Sequence, residues 1–269
     1  MPASIDRLVD VMRRLRDPHS GCPWDRQQTF HSIAPYTLEE AYEVVETIEQ
    51  NDMPHFCEEL GDLLLQIVFH AQMAKEKGLF DLEIIAKNQA DKLIERHPHV
   101  FGDRQGVSTP DDVLKNWESD KAAKREAENT DENQIVSAMD GVSTALPALT
   151  RAQKIQKRAA RVGFDWDQVS DFLAKTHEEL AEFEAEVTGP SSQEKMEDEL
   201  GDVLFAVIGV ATFMKLDPER ALRSTNRKFE NRFRYIETAL AAQNKPIQAA
   251  SLDELCTLWQ EAKARLSTK

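Results

Sequence analysis

The sequence is poor in residues that interrupt helices or cross-link chains. It has 10 glycines, 11 prolines and 3 cysteines in 269 residues, and aromatic residues make up only 7%. Cys22, Cys57 and Cys256 form no C-x-x-C pair, which argues against a disulfide framework or a zinc site, so we expect buried, reduced thiols. The longest apolar run, Val203 to Met214, is too short to span a bilayer. These absences predict a soluble, cytoplasmic protein that does not insert into a membrane.

Positive charge is also scarce. The 33 lysines and arginines face 48 aspartates and glutamates, which gives a net charge of −15. A protein that coats nucleic acid needs a basic face, so we expect no nucleic-acid partner. A small phosphate-bearing ligand remains compatible, because divalent cations bridge carboxylates to phosphates. The sequence has no G-x-x-x-x-G-K-[ST] loop and no Glu-x-x-His pair, which argues against P-loop and di-iron chemistry.

Hydrophobic periodicity predicts an all-α fold. Apolar residues recur at i, i+3, i+4 and i+7, and no convincing strand pattern appears. Thr37 and Ser251 each precede a glutamate by three residues, the spacing of a capping box. Gly61 and Gly201, inside predicted helices, suggest close packing there. The predicted helices cover residues 1–16, 38–50, 57–77, 84–96, 110–125, 149–161, 169–187, 193–214, 218–243 and 252–267.

The two halves of the chain repeat the same landmarks in the same order. A Trp-Asp pair, an acidic E-E-x-x-E motif and an E-L-G-D motif occur in both halves. Two later pairs are also repeated, namely Lys92-x-x-x-Arg96 as Lys228-x-x-x-Arg232, and Trp117-x-x-x-Lys121 as Trp259-x-x-x-Lys263. This order indicates a tandem duplication. We therefore predict a first module over residues 1–125, a polar linker over 126–140 and a second module over 141–269.

Each half carries four carboxylates at spacings that share a helix face. An antiparallel helix hairpin would bring both pairs together, as Glu40, Glu43, Glu59 and Asp62 in the first half and Glu179, Glu182, Glu199 and Asp202 in the second. Two carboxylates about 4 Å apart repel by roughly 4 kcal/mol at an effective dielectric near 20, so the quartets need a cation. Oxygen ligands without histidine favour Mg²⁺, with Mn²⁺ as a substitute. The ordinary alternative is a solvated acidic face, but each E-L-G-D motif begins a core-facing helix.

The acidic motifs resemble the signature of the MazG-like, all-α nucleoside triphosphate pyrophosphohydrolase superfamily. The surrounding segments CPWDRQQTFHSIAPYTLEEAYEV, RHPHVF and RAQKIQKRAARVGFDW are similar to its full-length two-domain form. The resemblance implies Mg²⁺-dependent hydrolysis of nucleoside triphosphates to monophosphate and pyrophosphate, with broad base acceptance. It also implies a homodimer in which helix modules pair into bundles, and catalytic roles for Glu179, Glu182, Glu199 and Asp202.

Basic and aromatic residues of the second half suit a bound nucleotide. Lysine and arginine match phosphate oxygens, and a tryptophan can stack on a base. The predicted nucleotide contacts are Lys175, Glu178, Lys195, Lys228, Arg232, Trp259 and Lys263. Lys175 and Lys195 each lie one turn before an acidic residue, where the first half has Tyr36 and His55. A core-packed tryptophan and surface Glu–Lys pairs are the alternatives.

The lysines make the two halves unequal. We therefore expect the second module to hydrolyse nucleotides and the first to stabilise the assembly. There are two alternatives to an enzyme. The chain could be a non-catalytic helical protein that senses nucleotides or binds a partner, or it could be a purely structural adaptor. Intact acid quartets in both halves argue against these alternatives.

Overall fold

The computed structural model describes residues 3–103 and 137–266, with Thr109 and Val113 between them. These residues form helices and no strand, which confirms the predicted all-α class. The chain divides into two compact units, Met1–Lys124 and Arg125–Lys269. The predicted helix over 110–125, with Trp117 and Lys121, and most of the predicted linker fall outside the described residues.

The first unit is built around one long helical hairpin. Its helices are α1 (Ala3–Leu15), α2 (Pro23–Gln27), α3 (Phe30–Gln50), α4 (Met53–Glu76), α5 (Leu82–Arg96) and α6 (Pro98–Phe101). Only Asn51 and Asp52 separate α3 from α4. Asn51 adopts the left-handed conformation with φ of 57°, and the Asp52 side chain caps α4 by accepting the His55 N–H. This short link fixes which residues of α3 face which residues of α4.

The start of α3 differs from the prediction. The helix begins at Phe30, where Thr29 and Ser32 form a capping box, and it continues through Pro35. The predicted capping box at Thr37 is therefore wrong, because this residue lies inside the helix and its hydroxyl donates to the Ile33 carbonyl. The Pro35 ring removes only one backbone donor near an exposed helix start, so the cap at Thr29 is sufficient. The other predicted cap is present, since Ser251 accepts the Glu254 N–H at 3.3 Å.

The core of the first unit lies where α1 crosses the hairpin. Met12, Ile33, Val68, Phe69 and Met73 form one buried cluster contributed by α1, α3 and α4. Burying a large apolar side chain stabilises a fold by about 1.5–3 kcal/mol. This cluster therefore holds the first hairpin closed on the side away from its solvent-exposed face.

The second unit repeats this hairpin and adds another. Its helices are α7 (Ala148–Arg161), α8 (Val169–Thr188), α9 (Gln193–Phe213), α10 (Pro218–Ala242) and α11 (Leu252–Leu266), with a short 3₁₀ helix at Ile247–Ala249. Helix α8 packs along α9, and α7 crosses α9. Helices α10 and α11 pack on each other through a separate core of Ile236, Leu240 and Leu258. Ser192 and Asp217 cap α9 and α10.

Two local predictions are wrong within the described chain. Close packing was predicted at Gly61 and Gly201, but a Cβ atom added at either glycine would meet nothing within 4 Å. No other element of the unit therefore packs closely against them. All three cysteines are free, but Cys57 and Cys256 are exposed and only Cys22 is partly buried. Within the described residues, no helix is long and apolar enough to cross a membrane.

Candidate metal and nucleotide site

Three carboxylates of the second unit converge between α8 and α9. Oxygen atoms of Glu179, Glu199 and Asp202 all lie within 4.8 Å of one another. Glu179 is only 7% exposed, although it is a carboxylate. Glu182, the fourth predicted member, is outside this group of three but close enough to act electrostatically on Glu199. Three hard oxygen donors around one point fit a divalent cation such as Mg²⁺.

The electrostatics of this cluster are unfavourable without a cation. Desolvation raises the pKa of Glu199, and the nearby charges of Glu182, Asp202 and Glu179 raise it further. Each cause disfavours the ionised carboxylate, because burial removes water and the neighbours carry the same charge. A bound divalent cation would stabilise the ionised carboxylates and would therefore lower the pKa of Glu199.

Lys175 supplies positive charge beside the acids, as its spacing predicted. Its Nζ atom lies 2.7 Å from Glu179 Oε1 and 2.8 Å from Glu178 Oε1. Hydrogen bonds to these two carboxylates raise the pKa of Lys175 well above its usual range, so the ammonium stays protonated. The structure therefore joins Lys175, Glu178 and Glu179 in one charged group at the edge of the cluster.

An apolar cavity of about 530 Å³ opens directly onto these groups. Its charged lining residues are Asp165, Lys175, Glu179 and Asp202. Its remaining wall is largely aromatic and aliphatic, from Met139, Ile155, Ala159, Phe164, Trp166, Phe172, Phe205 and Ala206. Trp166 stands edge-on to Phe172, with ring centroids 4.8 Å apart. The cavity is within the size range of small-molecule pockets and combines a largely apolar wall with charged lining residues.

The first unit has the corresponding acids. Oxygen atoms of Glu40, Glu43 and Glu59 lie within 4.8 Å of one another. Desolvation raises the pKa of Glu40, and the charges of Asp62 and Glu43 raise it further. Asp62 thus acts on this cluster from outside the group of three. Both predicted quartets are assembled by their hairpins, each as three converging carboxylates and a neighbour.

The space beside the first cluster is filled. Counting seven and ten residues from the aligned Glu59 and Glu199, Gln66 replaces Ala206 and Phe69 replaces Gly209. Gln66 is 8% exposed and donates through Nε2 to Glu40 Oε1 at 3.4 Å, while Phe69 belongs to the buried core. Two large side chains therefore occupy positions where the second unit has a methyl group and a hydrogen atom.

The other predicted nucleotide contacts lie elsewhere in the second unit. Arg232 on α10 stacks over Trp259 on α11, 5.4 Å from the ring centroid, and Trp259 also contacts Phe229. Trp259 packs against the α10–α11 core, as the structural alternative predicted. Neither Lys228 nor Lys263 lines the cavity described above. Lys195 donates only its backbone N–H to the Ser192 cap and makes no ion pair with a described residue. The single chain does not unite these residues with the acids.

Sequence reasoning missed the aromatic wall of the cavity. Trp166 was used only as a landmark of the repeat, and Phe172 and Phe205 had no assigned role. The difference between Ala206 and Gln66 is visible in the aligned repeats, but its meaning depends on knowing that both positions face the acids.

Comparison with known proteins explains the repeated geometry. The model of the MazG nucleotide pyrophosphohydrolase domain matches the chain twice, over residues 28–101 and 168–236. Each match contains one of the two acid clusters.

Full-length relatives share both units. The chain is 46% identical to a nucleoside triphosphate pyrophosphohydrolase of Escherichia coli K12 over 260 residues, 96% of this chain and 97% of that protein. It is 39% identical to a nucleoside triphosphate pyrophosphohydrolase/pyrophosphatase MazG of Thermotoga maritima over 259 residues, 96% and 95% of the two chains. An uncharacterized protein, YabN, of Bacillus subtilis is 45% identical over 94% of this chain and half of its own length. The predicted assignment to the hydrolases is confirmed, and the chain belongs to the MazG nucleotide pyrophosphohydrolase family.

Proposed function

We propose that the second unit hydrolyses nucleoside triphosphates to nucleoside monophosphate and pyrophosphate in a Mg²⁺-dependent reaction. The observation that carries this proposal is the meeting of three carboxylates, a protonated lysine and an apolar cavity at one place. The names of the E. coli and T. maritima relatives support the same reaction.

The residues of the second unit would have different roles in this reaction, according to their chemistry. Glu179, Glu199 and Asp202 would hold the cation, with Glu182 beside them. When bound, Mg²⁺ neutralises triphosphate charge and makes water a better nucleophile, with Mn²⁺ as a substitute. Lys175 adds a fixed positive charge that phosphate oxygens can share with Glu179. A carboxylate beside the three ligands, such as Glu182, would accept the proton from the attacking water.

The apolar cavity suits the nucleoside. Trp166, Phe172 and Phe205 offer ring faces and edges, and stacking on aromatic side chains is worth about 1–3 kcal/mol per base for any base. Gln156 also lines the cavity, but its amide already donates to the Phe205 carbonyl and accepts from Thr212. A pocket with few available hydrogen-bonding groups supports broad base acceptance. Lys195, Lys228, Arg232, Trp259 and Lys263 would then contact a nucleotide only through a second copy of the chain.

The first unit is proposed to be structural. Gln66 and Phe69 occupy the space into which a nucleotide would enter, and both are more than nine-tenths buried. The predicted modules, 1–125 and 141–269, would thus keep one fold and divide their roles.

We further propose a homodimer. Leu173, Leu180 and Val187 recur every seven residues on α8, and all three are exposed. Leu200, Leu204 and Val207 form a similar exposed stripe on α9. Stripes with this spacing pair helices into bundles, so a second copy would cover them.

Substitution of one acid in each unit tests which unit catalyses the hydrolysis. Glu179→Gln should lower kcat by about 10²-fold or more, because it removes a carboxylate ligand of the cation that would neutralise the reacting phosphate. The matched variant Glu40→Gln should retain nearly full turnover. Pyrophosphate release from a panel of nucleoside triphosphates measures both. Loss of turnover in Glu40→Gln alone would contradict the assignment.

Exchange of the residue that fills the first site tests the cavity. Ala206→Gln should raise the KM for nucleoside triphosphates by about tenfold or more, because the larger side chain occupies the pocket. The reciprocal variant Gln66→Ala is the control and should leave the kinetics unchanged. An unchanged KM in Ala206→Gln, with the variant folded by circular dichroism, would show that the nucleoside binds elsewhere.

Melting experiments test the metal cluster separately. The folded pKa of Glu199 lies above its unfolded value, so protonation favours the fold and the ionised group costs stability at neutral pH. Glu199→Gln should therefore raise the melting temperature in EDTA and abolish the increase that Mg²⁺ gives the wild type. Glu197→Gln, an exposed acid on the same helix, should change neither value. If Glu199→Gln melts at a lower temperature than the wild type in EDTA, repulsion among the carboxylates does not destabilise the fold.

Sedimentation tests the dimer. The wild type should sediment at twice the chain mass of 30.6 kDa. Leu204→Asp should shift it to the monomer, because a charge would be buried between the paired α9 stripes. Val162→Asp, at a 68% exposed position outside both stripes, should remain dimeric. A monomeric wild type would exclude this assembly.

A further inference from the structure

We infer that the second unit contains an anion-binding pocket for a phosphate group, distinct from the acid cluster. The pocket has a volume of about 270 Å³ and lies between α7, α9 and the residues that follow each helix. Lys157, Arg161 and Lys215 line it, against a single lining carboxylate, Asp165. None of its residues belongs to the acid cluster.

The charged residues that line this pocket are mainly positive, although the chain as a whole is negatively charged. The protein has a net charge of −15, yet α7 carries five basic residues and no acidic residue. Neither Lys157 nor Lys215 forms an ion pair with any residue in the described part of the second unit. Asp165 already accepts the backbone N–H of Trp166 at 3.0 Å. Lys157 and Lys215, which have no carboxylate partner there, are suited to phosphate oxygens.

The backbone at Lys215 provides independent support. Its φ is +56°, a left-handed conformation that is costly for a residue with a side chain. The other non-glycine residues with positive φ in the described chain are Asn51 and Asn244, and asparagine tolerates this region. At the corresponding helix end of the first unit, the residue is Gly78 with φ of 66°. Because Lys215 adopts this costly conformation and lines the pocket, we assign a binding function to its charge.

The pocket shares a wall with the apolar cavity. Gln156, Asp165, Phe172 and Gly209 line both spaces. A Cβ atom at Gly209 would lie 3.1 Å from the Phe172 ring, so the ring rests directly on the α9 backbone. An anion bound here would therefore share the Phe172 wall with the proposed nucleoside pocket. The ligand is a phosphate group, supplied either as free phosphate or by a nucleotide.

The test is thermal melting in EDTA, which removes divalent cations and makes the result independent of hydrolysis. Inorganic phosphate is compared with chloride at equal ionic strength, and a nucleoside monophosphate forms a second arm. The wild type should melt about 3–5 °C higher once phosphate exceeds its Kd roughly tenfold. Lys157→Ala and Lys215→Gly should lose this increase.

Two controls separate binding from general effects. Lys154→Ala removes an exposed lysine of α7 that does not line the pocket, and it should keep the increase. Lys215→Gly should also melt higher than the wild type in chloride, because glycine relieves the strained φ. Phosphate stabilises proteins generally by exclusion, but that effect is equal in all variants. An increase in the monophosphate arm alone identifies a phosphate ester as the ligand. No increase in either arm, or equal increases in all variants, would overturn the proposal.

Discussion

Mutual repulsion among carboxylates on a two-helix hairpin is the constraint on which the rest of this structure depends. In each unit, three acids are held with oxygen atoms within 4.8 Å of one another. In the first unit, neither helix can relieve the repulsion by rotating, because its other face packs in the core and only two residues link the helices. The fold thus holds the three carboxylates in an arrangement that is unfavourable alone and that a bound divalent cation would make favourable. The same cation is what a triphosphate requires.

We propose that the two units use one backbone for different purposes, and that side-chain volume makes the difference. In the second unit, Ala206 and Gly209 leave an aromatic cavity beside the acids. In the first, Gln66 and Phe69 fill this space, and Phe69 becomes part of the core. Filling the cavity adds buried apolar contact to the first unit, which is consistent with a stabilising role. On the proposal made above, two side chains distinguish the structural unit from the catalytic one, while the acids of both units are in place.

The sequence was sufficient for the fold class, the helices and both acid clusters, because helical periodicity and i,i+3 spacing are local properties. It was insufficient where distant segments meet. The cavity combines Phe164, Trp166, Phe172 and Phe205 from three parts of the second unit, and no local pattern brings them together. Trp259 is a predicted nucleotide contact, but in the structure it packs, partly buried, against the core of α10 and α11. The predicted start of α3 at residue 38 is late, because the capping box at Thr29 begins the helix at Phe30 and the helix continues through Pro35.

The central claim is that the acid cluster and cavity of the second unit release pyrophosphate from a nucleoside triphosphate. Phosphorus NMR of the reaction products tests it most directly, because it distinguishes pyrophosphate from orthophosphate without a coupled assay. With Mg²⁺, we expect the triphosphate signals to be replaced by equal amounts of nucleoside monophosphate and pyrophosphate, and EDTA to stop the reaction. Formation of nucleoside diphosphate and orthophosphate, or turnover that persists in EDTA, would contradict the account.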